Sequence, residues 1–179
     1  MRKTAYTLCV ALMVAAGVGT GLARTADPMP KDQSFLLEAA AAQEAEISLG
    51  RMATERAKTD RVKQFGQRMI DDHQRAGKEV SELAPQMGIK PIEILPMVHK
   101  DKAQQLSQLT GEDFDRSYIT YMFKDHLHDV TEFEQNMQDL KNPQVQQWAS
   151  ATLPVLKEHL TMARDIADEL GIGLKTVRQ

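Results

Sequence analysis

The chain carries one cysteine, Cys9, in 179 residues, so neither a disulfide framework nor a cysteine-rich zinc site is available to it. Aromatic residues make up only 5%, and β-branched residues are sparse, which disfavours sheet. Seven prolines and ten glycines are too few for a disordered or collagen-like chain. Basic residues are not in excess. The 22 Lys and Arg against 25 Asp and Glu give a formal charge of −3, which argues against sequence-independent binding of nucleic acid. What the chain does have is ten Met with abundant Ala, Gln, Glu and Lys, a helix-forming composition. Its 42% hydrophobic residues suffice for the core of one domain.

The one long apolar run lies at the start. Residues 1–23 place Arg2 and Lys3 before an apolar stretch to about Val18, followed by small residues. Gly21 and Ala23 suit the −3 and −1 positions of a signal-peptidase site, so cleavage is expected after Ala23 and export to the periplasm follows. The run is short for a membrane anchor, which needs roughly 20 apolar residues. Loss of this segment removes Arg2, Lys3 and Cys9, leaving 20 basic against 25 acidic residues and no thiol. No spanning segment is expected after it. A flexible lead over 24–32, a single domain over 33–171 and a flexible tail over 172–179 complete the expected organisation.

Within that domain the apolar residues repeat at alternating spacings of three and four, the signature of amphipathic helices. The first helix is expected from a cap at Asp32 or Ser34 to about Lys58, with the stripe Phe35, Ala39, Ala42, Glu46, Leu49, Ala53. Thr59-Asp60 caps a second helix to about Met87, with the stripe Val62, Phe65, Met69, His73, Ala76, Val80, Leu83, Met87 and a stop at Gly88. A connector over 89–111, containing Pro91 and Pro96, should hold a short helix over about 97–109. The third long helix runs to about Lys141 with the stripe Asp115, Ile119, Met122, His126, Val130, Phe133, Met137, Leu140. Asn142-Pro143 then opens a fourth, with the stripe Val145, Trp148, Thr152, Val155, His159, Ala163, Ile166, Leu170 and a stop at Gly171. Two tight hairpins joined by one long crossover predict an all-α, antiparallel four-helix bundle.

Each stripe is interrupted by a titratable residue where the core should be: Glu46, His73, His126 and His159. Taking the turns near Thr59 and Lys141, each lies 13 to 18 residues from its hairpin turn. At 1.5 Å per residue that is roughly 20–27 Å along the helix, so all four should meet near mid-height. One carboxylate and three imidazoles suit a single divalent transition ion. The same four groups also suit a buried hydrogen-bonded network that fixes helix register, or a pH-responsive core whose histidines protonate near about pH 6. An acid precedes each histidine by one position, where it could orient the imidazole of a neighbouring helix or pair with Arg68 or Arg164. Around these, Glu44 is a substitute ligand, His128 should be solvated, His99 has no seam to join, and Pro154 should kink the last helix. No nucleophile, phosphate loop or paired-carboxylate motif is visible, so a binding or structural protein is expected rather than an enzyme.

The segments Ala45-Glu46-Ile47-Ser48-Leu49-Gly50, Met69-Ile70-Asp71-Asp72-His73, Phe114-Asp115-Arg116-Ser117-Tyr118, Asp125-His126 and Leu153-Pro154 with His159 together resemble a family of exported bacterial proteins, domain-of-unknown-function family 4142. The resemblance covers about residues 33–170 and implies a ferritin-like bundle with a left-handed crossover. The chain departs from the ferritin-like di-iron pattern, which needs two Glu-x-x-His motifs and two further glutamates. Ile70, Phe123 and Leu156 stand three positions before the histidines, so the bridging carboxylates of a di-iron centre are missing and ferroxidase or oxygenase chemistry is not implied.

Overall fold

The structure, a computed structural model, describes residues 30–89 and 97–174. The expected leader over 1–23 lies outside them, as do most of the lead and the prolines of the connector. The regular elements among the described residues are helices: α1 (Lys31–Arg56), α2 (Asp60–Leu83) continued by a 3-10 turn (Ala84–Met87), α3 (Met97–Ser107), α4 (Gly111–Asn136) and α5 (Pro143–Glu169). The only strand-like pairing among them is an isolated bridge between Ala57 and Gly111. No described helix is long and apolar enough to cross a membrane.

Helix α1 packs along α2 and α4 along α5; α2 also meets α5, α1 meets α4, and α3 lies against α1 and α4. The apolar stripes explain these pairings. Phe65, Met69, Ile119, Met122, Ala163 and Ile166 are almost wholly removed from water, as the three-and-four spacing requires. The burial does not form one continuous core. One apolar cluster gathers Leu49, Ala53, Val62, Phe65, Phe114, Tyr118, Ile119 and Ile166 around the α1–α2 turn. A second gathers Phe35, Leu36, Val80, Leu140, Val145 and Trp148 around the α4–α5 turn. Between them, on every long helix, lie buried polar side chains: Gln43 and Glu46, Asp72 and His73, His126, and Thr152 and His159.

Both hairpin turns are held by a buried acid from the opposite hairpin. The Asp115 carboxylate, on α4, accepts the backbone N–H groups of Lys58 and Thr59 at 2.9 Å each. Asp32, on α1, accepts those of Lys141 and Asn142 at 3.0 Å each. Backbone donors freed at a helix start thus find acceptors inside the protein. This arrangement alters two expected boundaries. Asp32 does not cap its own helix, since Pro30 precedes α1 and the Asp32 carboxylate is spent on the far turn. Helix α4 ends at Asn136, short of Lys141, because the Lys141 N–H is turned out to Asp32. Thr59 and Asn142 cap α2 and α5 as their sequences predict. Gly88 and Gly171 stop their helices at φ of 70° and 60°, a conformation that costs other residues strain.

Helices α1 and α2 approach closely at Gly50 and Gly66. A Cβ on Gly66 would stand 2.7 Å from the Ala53 Cβ and 2.8 Å from the Gly50 carbonyl oxygen, with backbone on one side that cannot yield. Gly66→Ala should therefore destabilise the fold by about 1–3 kcal/mol through overpacking, although alanine is intrinsically the better helix former by about 1 kcal/mol. Urea unfolding measures this, and a gain in stability would mean that the two helices can separate at no cost.

Candidate metal centre

The three stripe histidines converge. His73 of α2, His126 of α4 and His159 of α5 each offer a ring nitrogen, and the three nitrogens lie within 4.8 Å of one another. Ring centroids are 5.9 Å apart for His73 and His126, and 5.3 Å for each of the other two pairs. His126 and His159 are fully buried and His73 nearly so.

Each ring is held through its other nitrogen. His73 Nδ1–H donates to the Gln43 side-chain oxygen at 2.7 Å, and His126 Nδ1–H to the Met122 carbonyl at 3.1 Å. His159 Nε2–H donates to an Asp72 carboxylate oxygen at 2.9 Å. All three acceptors can only accept, so they select the tautomer. The nitrogens left with free lone pairs are His73 Nε2, His126 Nε2 and His159 Nδ1, and among the described residues these are the buried imidazole nitrogens without a hydrogen-bond partner. Orphaned buried acceptors are uncommon because they forgo solvation without recompense. Three such lone pairs, on rings whose centroids are 5.3–5.9 Å apart, form a donor set suited to a metal ion, and outer partners that orient each imidazole are a recurring feature of metal-ligating histidines.

Electrostatics keeps these lone pairs available. Burial lowers His73 well below the ordinary imidazole value, reinforced by His126 and His159. Burial with the added repulsion of His159 takes His126 down to about 4. His159 is lowered by burial too, partly offset by Asp72. Burial would raise the Asp72 carboxyl, but the Arg68 guanidinium and His159 outweigh it and hold it below its ordinary value. Asp72 is further clamped by Arg68 and by Arg75 at 3.2 Å, and Arg68 reaches Glu158 at 3.0 Å. A solvent-connected cavity of about 200 Å³, lined by Gln43, Asp72, Arg75 and Thr152, also touches His73 and His159.

Glu46 reaches the same layer but has different neighbours. It groups with Asp125, His126 and Asp129 of α4, whose ligand atoms all lie within 4.8 Å of one another, and not with His73 and His159. Both of its carboxylate oxygens are buried without a partner. Burial, then Asp125, then Asp129 raise its carboxyl well above the usual range. Asp129 is raised to about 7, by burial first and then by Asp125 and Glu132. Tyr118, whose buried hydroxyl is also unpartnered, is pushed up by burial and by Glu46.

Of the neighbouring candidates, Glu44 and His128 are exposed and take no part. His99 pairs with the Tyr121 hydroxyl at 3.0 Å. Arg164 lies over the Phe123 ring rather than against an acid. Helix α5 runs on through Pro154. The acid before His73 does orient an imidazole on another helix, since Asp72 binds His159. Sequence reasoning missed Gln43, which lies one turn before Glu46 on the same face of α1, and Asp129, which stands three positions after His126.

These shifts set the pH response of the metal-free protein. His126 binds its proton more weakly folded than unfolded, so its contribution is complete above about pH 6.5 and is lost as pH falls toward about 4. Asp129 has the opposite sign: its contribution is complete below 3.8 and is lost as pH rises through about 7. Asp129→Asn removes the second effect and also lessens the rise at Glu46, both in the same direction, so the variant should lose stability more steeply than wild type between pH 7 and pH 4. Urea titrations at stepped pH would show it; parallel curves would refute the assignment.

No curated protein and no solved structure matches the chain. The model of a family described as a domain of unknown function, DUF4142, does match it, over residues 19–166, and the chain belongs to that family.

Proposed function

We propose that this protein is an exported, periplasmic, ferritin-like four-helix bundle that binds one divalent transition-metal ion through His73, His126 and His159, with Glu46 outside that ligand set. The observation that carries the proposal is the set of three buried, unpartnered ring nitrogens, each on an imidazole fixed from behind by Gln43, Met122 or Asp72. Three neutral imidazoles favour zinc, copper, nickel or iron over magnesium or calcium. A solvent-connected cavity touches the rings of His73 and His159, and three-ligand sites of this kind usually keep a further position for water or a small ligand. The pairing of α1 with α2 and α4 with α5, together with the cross-contacts between hairpins, supports the bundle. Export rests on the leader-like residues 1–23.

The test is elemental analysis of protein purified without an affinity tag, followed by thermal unfolding with zinc, copper, nickel, iron or manganese added. About one ion per chain, or a midpoint that rises with added metal, is the expected result. A second reading, favoured by the Arg68–Asp72–His159 chain, makes the layer a register-fixing network in an envelope structural or stress protein. Metal-free protein indifferent to every ion would favour that reading.

A further inference from the structure

We propose a second cation site, of different chemistry, beside His126: Glu46, Asp125 and Asp129 take an oxygen-preferring divalent ion of the Mn2+ class. The three carboxylates and His126 present ligand atoms within 4.8 Å of one another, from α1 and α4. Two observations set this group apart from an ordinary acidic patch. Glu46 is 1% exposed, and both of its oxygens, together with Asp125 Oδ2, are buried without a hydrogen-bond partner. Among the described residues no lysine or arginine forms an ion pair with any of the three, whereas Asp72, in the same layer, is paired with two arginines and His159.

Three acids this close, in this much burial, cannot all carry charge without a counterion. Either protons or a cation must neutralise them, and a divalent cation neutralises two at once while using the orphaned oxygens. The donor set decides the class of ion. Carboxylates suit Mn2+, Mg2+ and Ca2+, and a neighbouring imidazole tilts the choice toward Mn2+. His126 has one free nitrogen, Nε2, because Nδ1 is spent on Met122. It can ligate one ion at a time, so when the three-histidine site is filled the carboxylates alone hold the second ion. The two sites are thus chemically distinct neighbours sharing a wall. The second does not depend on the first.

The test is Mn2+ uptake by the protein lacking its leader, followed by loss of the electron-paramagnetic-resonance signal of aqueous Mn2+, with circular dichroism as the check on folding. His73→Ala disables the three-imidazole site without touching the carboxylates, and should still take up one Mn2+ per chain. The double variant Glu46→Gln, Asp129→Asn relieves repulsion and so keeps its fold. It should bind Mn2+ at least about tenfold more weakly while retaining zinc at the histidines. The proposal is overturned if His73→Ala takes up no Mn2+ at millimolar concentration, which would mean that protons alone neutralise the cluster. It is equally overturned if the double variant binds Mn2+ as wild type does. Loss of zinc binding with Mn2+ uptake intact would instead count against the three-histidine site alone.

Discussion

The wild-type protein is expected to gain stability from zinc or cobalt, and His126→Ala to abolish that gain. An ion held by three imidazoles loses one of its three protein ligands, and the outer partners of the remaining two cannot replace it. At a free-metal concentration one hundred times the dissociation constant, binding to the native state contributes about 2.7 kcal/mol, and this increment should vanish. His73→Ala and His159→Ala should behave alike. Gln43→Leu and Asp72→Asn should fall between, weakening binding by about 10–100-fold, because they leave the ligands in place but release the rings they orient. His128→Ala, on an exposed side chain of the same helix, should change nothing. Cobalt absorption and calorimetric titration read all six. Unaltered affinity in His126→Ala would remove the basis for a three-histidine site. Affinity should also weaken on acidification, because protons compete for the same lone pairs.

Asp115→Ala should be among the most destabilising substitutions that lie away from the polar layer. It deletes a fully buried carboxylate that is the acceptor for two backbone N–H groups at the α1–α2 turn. An unsatisfied donor costs about 1–3 kcal/mol, so a loss of about 2–4 kcal/mol is expected, with a smaller loss for Asp115→Asn, which keeps one acceptor oxygen. Asp32→Ala should act similarly on the α4–α5 turn, where the same pair of contacts is made. Denaturant midpoints at constant slope are the measurement. A cost under about 0.5 kcal/mol for Asp115→Ala, within the range of ordinary surface changes, would show that water replaces the carboxylate.

The height of the polar layer was legible in the sequence, because the distance of a residue from its turn is fixed by helical rise alone. That is why His73, His126 and His159, on three helices, could be expected together, and they are. Rotation of the helices about their axes was not legible to the same degree. Glu46 stands at the expected height, yet its neighbours are the acids of α4, since which flank of α1 faces which helix depends on how the two hairpins dock. Gln43 escaped notice because an amide gives no signal by composition; only the His73 ring beside it reveals its purpose. Asp115 was visible in an apolar stripe, but the donors that it satisfies lie on the other hairpin, 56 and 57 positions away. Helix identity and burial follow from local periodicity, whereas hydrogen bonds between hairpins follow from tertiary docking.

The division of the apolar interior into two clusters bears on how the molecule breathes. Helices α1, α2, α4 and α5 each pass through both clusters, but their burial is interrupted midway. In amide hydrogen exchange the two ends should therefore open as separate cooperative units, each with its own free energy below that of global unfolding. An ion tied to α2, α4 and α5 at the junction would couple them, so that the end around Trp148 and the end around Phe65 exchange in concert. Metal would then act less as a staple on one spot than as the element that makes two small domains behave as one.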